Sequence, residues 1–119
     1  MSTTEIANGL VALCKKGDFM SAMDAYYSDD IVSVEPMGDE PESKGLAAVK
    51  GKAEWWSNNF EVHSVEIDGP FVFGEKFIVR FKLDVTHKPS GKRDIMDEAG
   101  LYKVSGEKIV HEAFFYAPK

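Results

Sequence analysis

The chain has 119 residues, 44% of them hydrophobic, and a formal charge of −6. That describes one globular domain over 1–119 with enough apolar mass for a core, and acidity this dispersed leaves no basic stripe for nucleic acid. The lone Cys14 excludes an internal disulfide, no apolar run is long enough to span a membrane, and "MSTTEIANGL" lacks the basic start and apolar core of a secretory signal, so a cytoplasmic protein is expected.

Ser2 and Glu5 fit a capping box, and Ile6, Leu10 and Leu13 then recur at helical spacing. Cys14 falls in this apolar run and reads as a buried small hydrophobe. "KKGD" (15–18) closes the first helix, and Asp18 can cap a second, in which Phe19, Met23 and Tyr26 share a face. "SDD" (28–30) leads into a short strand over 31–35, and the Pro-, Gly- and acid-rich stretch 36–43 reads as a loop in which Asp39, Glu40 and Glu42 are solvated. Ser43 is the expected cap of a third helix. Its stripe, Leu46, Val49, Ala53, Trp56 and Phe60, steps by three and four residues and so lies on one face, with Trp55 flanking it. Gly45 and Gly51 each weaken that helix by about 1 kcal/mol relative to alanine where interior.

From residue 61 the period becomes two. His63, Val65, Ile67, Phe71 and Phe73 oppose Ser64, Glu66 and Asp68, with a bend or bulge at Gly69-Pro70. In 76–87, Phe77, Val79, Phe81, Leu83 and Val85 alternate with Arg80, Lys82 and Asp84; a turn at 87–92 and a hairpin at "VSGEK" then join strands over 93–104 and 107–116. Three helices followed by long antiparallel strands predict an α+β domain with helices covering one sheet face.

In 93–104, Met96, Glu98, Gly100, Tyr102 and Val104 share one face and Ile95, Asp97, Ala99 and Leu101 the other. Both faces carry apolar residues, so either Asp97 or Glu98 is expected to be buried. A buried carboxyl must be paired, hydrogen-bonded or protonated, which makes it a candidate for acid–base work; the competing reading is a structural ion pair with Arg80, Arg93 or a lysine. Glu35 stands at the end of the first strand, either as a solvated strand terminus or at the mouth of a cavity. His63, on an apolar strand face, reads either as a hydrogen-bonded core histidine or as a proton-transfer group. His87 and His111 have no partner at ligand spacing, and no metal site is expected.

The stretch "GDFMSAMDAYYSDDIVSVEPMGDEPESKG", the helix "GLAAVKGKAEWW" and the ending "MDEAGLYKVSGEKIVHEAFFY" resemble the SnoaL-like family of the nuclear transport factor 2-like superfamily, over nearly the whole chain. The chain is also similar to ketosteroid isomerases and polyketide cyclases. The resemblance implies a cone-shaped, cystatin-like fold with three N-terminal helices on a curved, mostly antiparallel sheet that encloses a pocket. The scaffold carries isomerases, cyclases, dehydratases, hydrolases and plain binding or assembly modules, so fold alone does not name a reaction.

In ketosteroid isomerases an aspartate precedes the proline of a P-x-G-x-E-P segment. Here that segment is Pro36-Met37-Gly38-Asp39-Glu40-Pro41, and Glu35 takes the base position. A protonated aspartate four residues before an aromatic of a later strand donates to the substrate oxyanion in those enzymes; counting back from Tyr102 reaches Glu98. The "AFFY" ending makes Phe114 and Tyr116 pocket-wall candidates, with Tyr26, Trp56, Phe60 and Phe81. The isomerases' oxyanion-hole tyrosine maps to Leu10, so steroid isomerisation is not expected, and Tyr26 or His63 is left to supply a donor. The resemblance thus implies a small hydrophobic or carbonyl-bearing ligand, no cofactor, and proton abstraction next to a carbonyl, with Glu35 as base and Glu98 or His63 as donor. It also implies a homodimer through the sheet face of Ile95, Ala99 and Leu101. A non-catalytic ligand-binding or scaffold module is the alternative.

Overall fold

The structure, a computed structural model, describes residues 1–36 and 41–116. Asp39 and Glu40, and with them the middle of the Pro36–Pro41 segment, lie outside the described residues. Helix α1 (Thr3–Lys15) begins as its sequence requires: Ser2 Oγ accepts the Glu5 N–H and the Glu5 carboxylate accepts the Ser2 N–H, both at 3.1 Å. Asp18 caps α2 (Phe19–Tyr26) through the Ser21 N–H. Strand β1 (Tyr27–Val34) starts at once, four residues earlier than the sequence suggested, because "SDD" continues the extended chain rather than looping.

Ser43 does not cap the third helix. It lies in β2 (Glu42–Lys44), a short strand paired antiparallel to β1, and α3 (Leu46–Asn59) starts from Gly45 with no side-chain cap. The remaining strands are β3 (Phe60–Phe73), β4 (Lys76–His87), β5 (Lys92–Ser105) and β6 (Lys108–Phe115). They form one six-stranded sheet in the order β2-β1-β6-β5-β4-β3, antiparallel throughout except for the parallel β1–β6 pair. The parallel pair is what brings the end of β1, and so Glu35, beside the last strand.

The three helices cover one face of this sheet. Phe77, Val79, Phe81, Leu83 and Val85 of β4 are all buried beneath them, as the strict alternation requires, together with Ile6, Leu10 and Val49 from α1 and α3. Phe19, Met23 and Tyr26 of α2 pack against this core.

β3 departs from the expected parity twice. Its register with β4 shifts between Val62 and Ser64 and again between Asp68 and Phe71. Each extra residue moves the following side chains to the opposite face. Val72 therefore packs inward, while Phe71 and Phe73 turn out to solvent, Phe73 at 68% exposure. The second shift is built on Gly69, whose φ of +109° is a conformation that residues with a Cβ avoid. A Cβ there would also meet the Ile78 carbonyl oxygen at 3.0 Å. Gly69→Ala is therefore expected to cost about 1–3 kcal/mol of stability, read as a lower urea midpoint at unchanged slope.

Candidate active site

A cavity of about 370 Å³ lies between the helices and the inner face of the sheet. Apolar and aromatic side chains form most of its wall, among them Leu10, Phe19, Trp56, Phe81, Met96 and Phe114. Four ionisable side chains of ordinary charge interrupt that wall: Glu35, Lys52, Glu98 and Glu112. Among the described residues lining the cavity, Lys52 is the single cation.

Glu35 sits just past the end of β1, its own N–H held by the Pro41 carbonyl at 2.7 Å. Its carboxylate accepts the Lys52 ammonium at 2.9 Å, with side-chain exposures of 26% and 30%. Glu35 is therefore not a solvated strand terminus; it is half of a sheltered ion pair at the cavity wall. Tyr116 hydrogen-bonds Glu35, and burial together with that carboxylate pushes the Tyr116 phenol up to about 12, so it keeps its proton as a donor.

Lys52 also donates to Ser33 Oγ at 2.7 Å, and its ammonium stands 5.7 Å from the centre of the Phe114 ring. Ser33 is hydrogen-bonded in turn to Glu112, its neighbour across the β1–β6 register. The Tyr27 hydroxyl donates to the other side of Glu112, and Tyr102, opposite Glu112 on β5, hydrogen-bonds Tyr27. A continuous polar chain thus runs from the buried floor (Tyr102, Tyr27, Glu112) through Ser33 to Lys52, Glu35 and Tyr116. Burial holds Glu112 above the usual carboxyl range despite its hydrogen bonds, and it raises both floor tyrosines well above theirs. The Cys14 thiol at this floor is pushed up to about 12 by burial and Glu112, which makes it an unreactive packing group.

Glu98 stands apart from that chain. It lies on the inner face of β5 with Met96 and Tyr102, as the alternation required, opposite Phe81 of β4. Among the described residues Glu98 forms no ion pair: Arg80 forms a two-pronged bridge to Asp97 and Arg93 one to Asp84, both on the outer surface, and Lys52, the lysine of this cavity, pairs with Glu35. No described side chain donates a hydrogen bond to Glu98. Burial, then the charges of Glu35 and Glu112, raise its pKa from 4.5 to about 7, opposed by Lys52. Gly100, between Glu98 and Tyr102, leaves room for the tyrosine ring; a Cβ there would meet it at 2.8 Å.

Of the residues singled out in the sequence, Glu35, Glu98, Trp56, Phe81, Phe114 and Tyr116 all line this one cavity. His63 does not. It is the extra residue of the first β3 bulge, exposed and 2.7 Å from Thr86 Oγ1. Tyr26 closes against Gly9 of α1, and Tyr27, the first residue of β1, takes the place at the cavity wall. Phe60 stacks behind Trp56 with ring centres 5.1 Å apart and lies outside the lining. Lys52, Glu112, Tyr27 and Ser33 were missed. Lys52 carried a signal: it lies three residues after Val49 and four before Trp56, inside the apolar stripe of α3. No group of metal-ligating side chains occurs among the described residues, and no described helix is long and apolar enough to cross a membrane.

Residues 1–116 match the SnoaL-like domain family. A Mesorhizobium loti crystal structure described as a candidate SnoaL-like polyketide cyclase, with carbohydrate phosphatase as a second descriptor, is 45% identical over 98% of this chain and 100% of its own, at a TM-score of 0.93. A Xanthomonas campestris protein with a cystatin-like fold is 18% identical over 99% of this chain and 92% of its own, at a TM-score of 0.80. A Bacillus subtilis protein described as a candidate isomerase is 16% identical over 99% and 91%, at a TM-score of 0.78. Among curated proteins, none matches this chain. The last two structures share the fold alone.

The shift at Glu98 makes stability depend on pH. Its carboxyl titrates at about 7 when folded and at its ordinary 4.5 when unfolded. Between those values the folded protein binds more protons, so stability falls as pH rises from about 4.5 to about 7 and is level on either side. Glu98→Gln removes this dependence and is expected to be more stable than the parent above pH 7, by at most about 3 kcal/mol. Glu112 acts in the same direction in both proteins, so the difference between paired urea titrations at several pH values reads the Glu98 contribution together with its coupling to Glu112.

Proposed function

The chain belongs to the SnoaL-like family, and from that premise we propose that its cavity takes a small, mainly apolar, carbonyl-bearing molecule and moves a proton at the adjacent carbon. One observation carries this reading: Glu35 and Glu98 wall the same cavity, and Glu98 keeps its proton up to about pH 7. A carboxylate and a carboxylic acid facing one apolar space are the two partners that enolisation needs.

The Glu35 carboxylate removes a proton from the carbon next to the carbonyl, and the bond electrons move onto the carbonyl oxygen. The Glu98 acid donates a hydrogen bond to that developing enolate. Glu35 then returns its proton at another carbon, giving isomerisation, or the enolate carbon attacks a second carbonyl of the same molecule and the alkoxide so formed takes the proton back from Glu35, giving cyclisation. Each step moves only protons and electron pairs within one substrate, so none calls for a redox cofactor. The description of the Mesorhizobium loti relative as a cyclase favours the second outcome. Tyr116 and Lys52 hold the base in position from two sides. Leu10, in the cavity wall where the resemblance implies a phenol, is the observation that favours the alternative of a non-catalytic binding module.

A homodimer through the outer sheet face is part of the same reading. Phe71, Ile78, Leu101 and Ala113 stand opposite one another in consecutive strands, and Ala99 and Phe115 form the adjoining row. Phe115 is 56% exposed. A row of apolar side chains across four strands suits a second copy of the same row. Phe115→Glu is expected to convert a dimeric parent to monomer in sedimentation velocity, and a monomeric parent overturns the dimer.

The chemistry is tested without knowing the substrate, by incubating the protein with a panel of small enolisable ketones in deuterated water and following loss of the α-proton signal by NMR. The parent is expected to accelerate exchange for ketones that bind, and Glu35→Gln to lose about a hundredfold or more of that rate while unfolding as the parent does. Ketones that bind without accelerated exchange would assign the protein to the binding-module class.

A further inference from the structure

Lys52 is a charged group on the inward stripe of a helix, and pairing with Glu35 alone does not account for its place. The Glu35 carboxylate and Ser33 Oγ occupy two of its ammonium hydrogens at 2.9 and 2.7 Å. An ammonium carries a further donor, and no other described side chain accepts a hydrogen bond from it. Its surroundings are the cavity and the face of Phe114. Lys52 is also the single positive charge among the described lining residues, facing an apolar wall in which charge is weakly screened.

We infer that Lys52 is an oxyanion-binding residue of the pocket alongside Glu98, and that the cavity recognises ligands bearing or developing negative charge on an oxygen, of the enolate or phenolate class. This rests on the small-molecule reading of the cavity and deepens it, because an enolate is the species that proton removal next to a carbonyl produces. The ligand oxygen occupies the remaining donor position of Lys52 and shares the ammonium with Glu35. Ser33, itself hydrogen-bonded to Glu112, keeps the lysine from following the ligand out of register. Lys52 thereby has two tasks: it positions the base and it receives the charge that the base creates.

The probe is 4-nitrophenol, whose phenol titrates near neutrality and whose phenolate alone is yellow, with 4-nitroanisole as an uncharged isostere. Binding to the parent is expected to enrich the yellow phenolate over its fraction in free solution at the same pH. Lys52→Met is expected to bind the phenolate about tenfold or more weakly and to abolish the enrichment, while 4-nitroanisole binds both proteins alike. Lys52→Arg retains the cation and restores the yellow bound form. Glu35→Gln removes the competing carboxylate and is expected to raise the bound phenolate fraction above the parent's. Equal phenolate fractions in the parent and Lys52→Met overturn the inference while leaving the pocket reading intact, as does equal loss of 4-nitrophenol and 4-nitroanisole binding in that variant. Failure of both probes to bind the parent overturns the pocket reading and this inference together.

Discussion

Half-burying the Lys52 ammonium among aromatic rings is a constraint that the rest of the site answers, since an unpaired charge there would cost several kcal/mol. Glu35 supplies the counter-charge from the end of β1, and the parallel β1–β6 pairing brings that end to the cavity. Ser33, two residues earlier near the end of β1, supplies the second acceptor. Its link to Glu112 couples the lysine to the buried floor. The helices and the sheet are therefore joined at this point by a polar chain as well as by packing. Its members come from α3, β1, β5 and β6, so each of those elements is held in register by groups that cannot be exchanged singly without leaving a buried partner unsatisfied.

Three carboxyls in one small space would repel one another if all were ionised, and their surroundings separate them. Glu35 has the ammonium. Glu112 lies deepest and accepts from Tyr27 and Ser33, yet burial still favours its proton. Among the described residues Glu98 has no hydrogen-bond donor, and burial with the charges of Glu35 and Glu112 outweighs the more distant Lys52, so its pKa rises to about 7. Environment, and not residue type, divides the roles: an ion-paired carboxylate, a buried structural acid and an acid that can still release its proton near neutrality.

Much of this was legible in the sequence, and where it was not, a specific irregularity intervened. The strict alternation of 76–87 and 93–104 gave the inner face of β4 and β5, and with it Glu98, because no bulge interrupts their mutual register. In β3 the same arithmetic failed for His63 and for Phe71 and Phe73, since two bulges change parity and bulge positions depend on pairing with β4. Glu112 shares a face with Phe114 by simple counting, yet a β5–β6 register shift between Lys103 and Val104 obscures the pattern upstream. Tyr26 and Tyr27 exchanged roles because the helix-to-strand boundary falls between them, and a boundary shifted by one residue turns a side chain to another wall. Lys52 was hidden differently. A lysine in an apolar stripe looks like an interruption until its partner is known, and that partner lies seventeen residues earlier in the chain.

The exchange at position 10 then takes on a structural meaning. Where the resemblance to ketosteroid isomerases implies a phenol on α1, Leu10 is buried at 2% exposure and contributes only apolar wall. A hydrogen-bond donor lost from α1 is not replaced on α1, whose inward positions Ile6, Ala7, Leu10 and Cys14 are all core. Donors of this cavity come instead from other elements, among them Lys52 on α3, the Glu98 acid on β5 and Tyr116 beyond β6. A cation stabilises an oxyanion by charge as well as by hydrogen bond, and it does so over a longer range than a neutral phenol. It also needs a permanent counter-ion when the cavity is empty, which a phenol does not. Glu35 fills that need, and so the residue that the proposed chemistry uses as its base is also the one with which the arriving negative charge must share Lys52. Under the proposed chemistry that conflict resolves itself: once Glu35 has taken the proton it is neutral, and the ammonium is left with a single negative partner, the enolate oxygen.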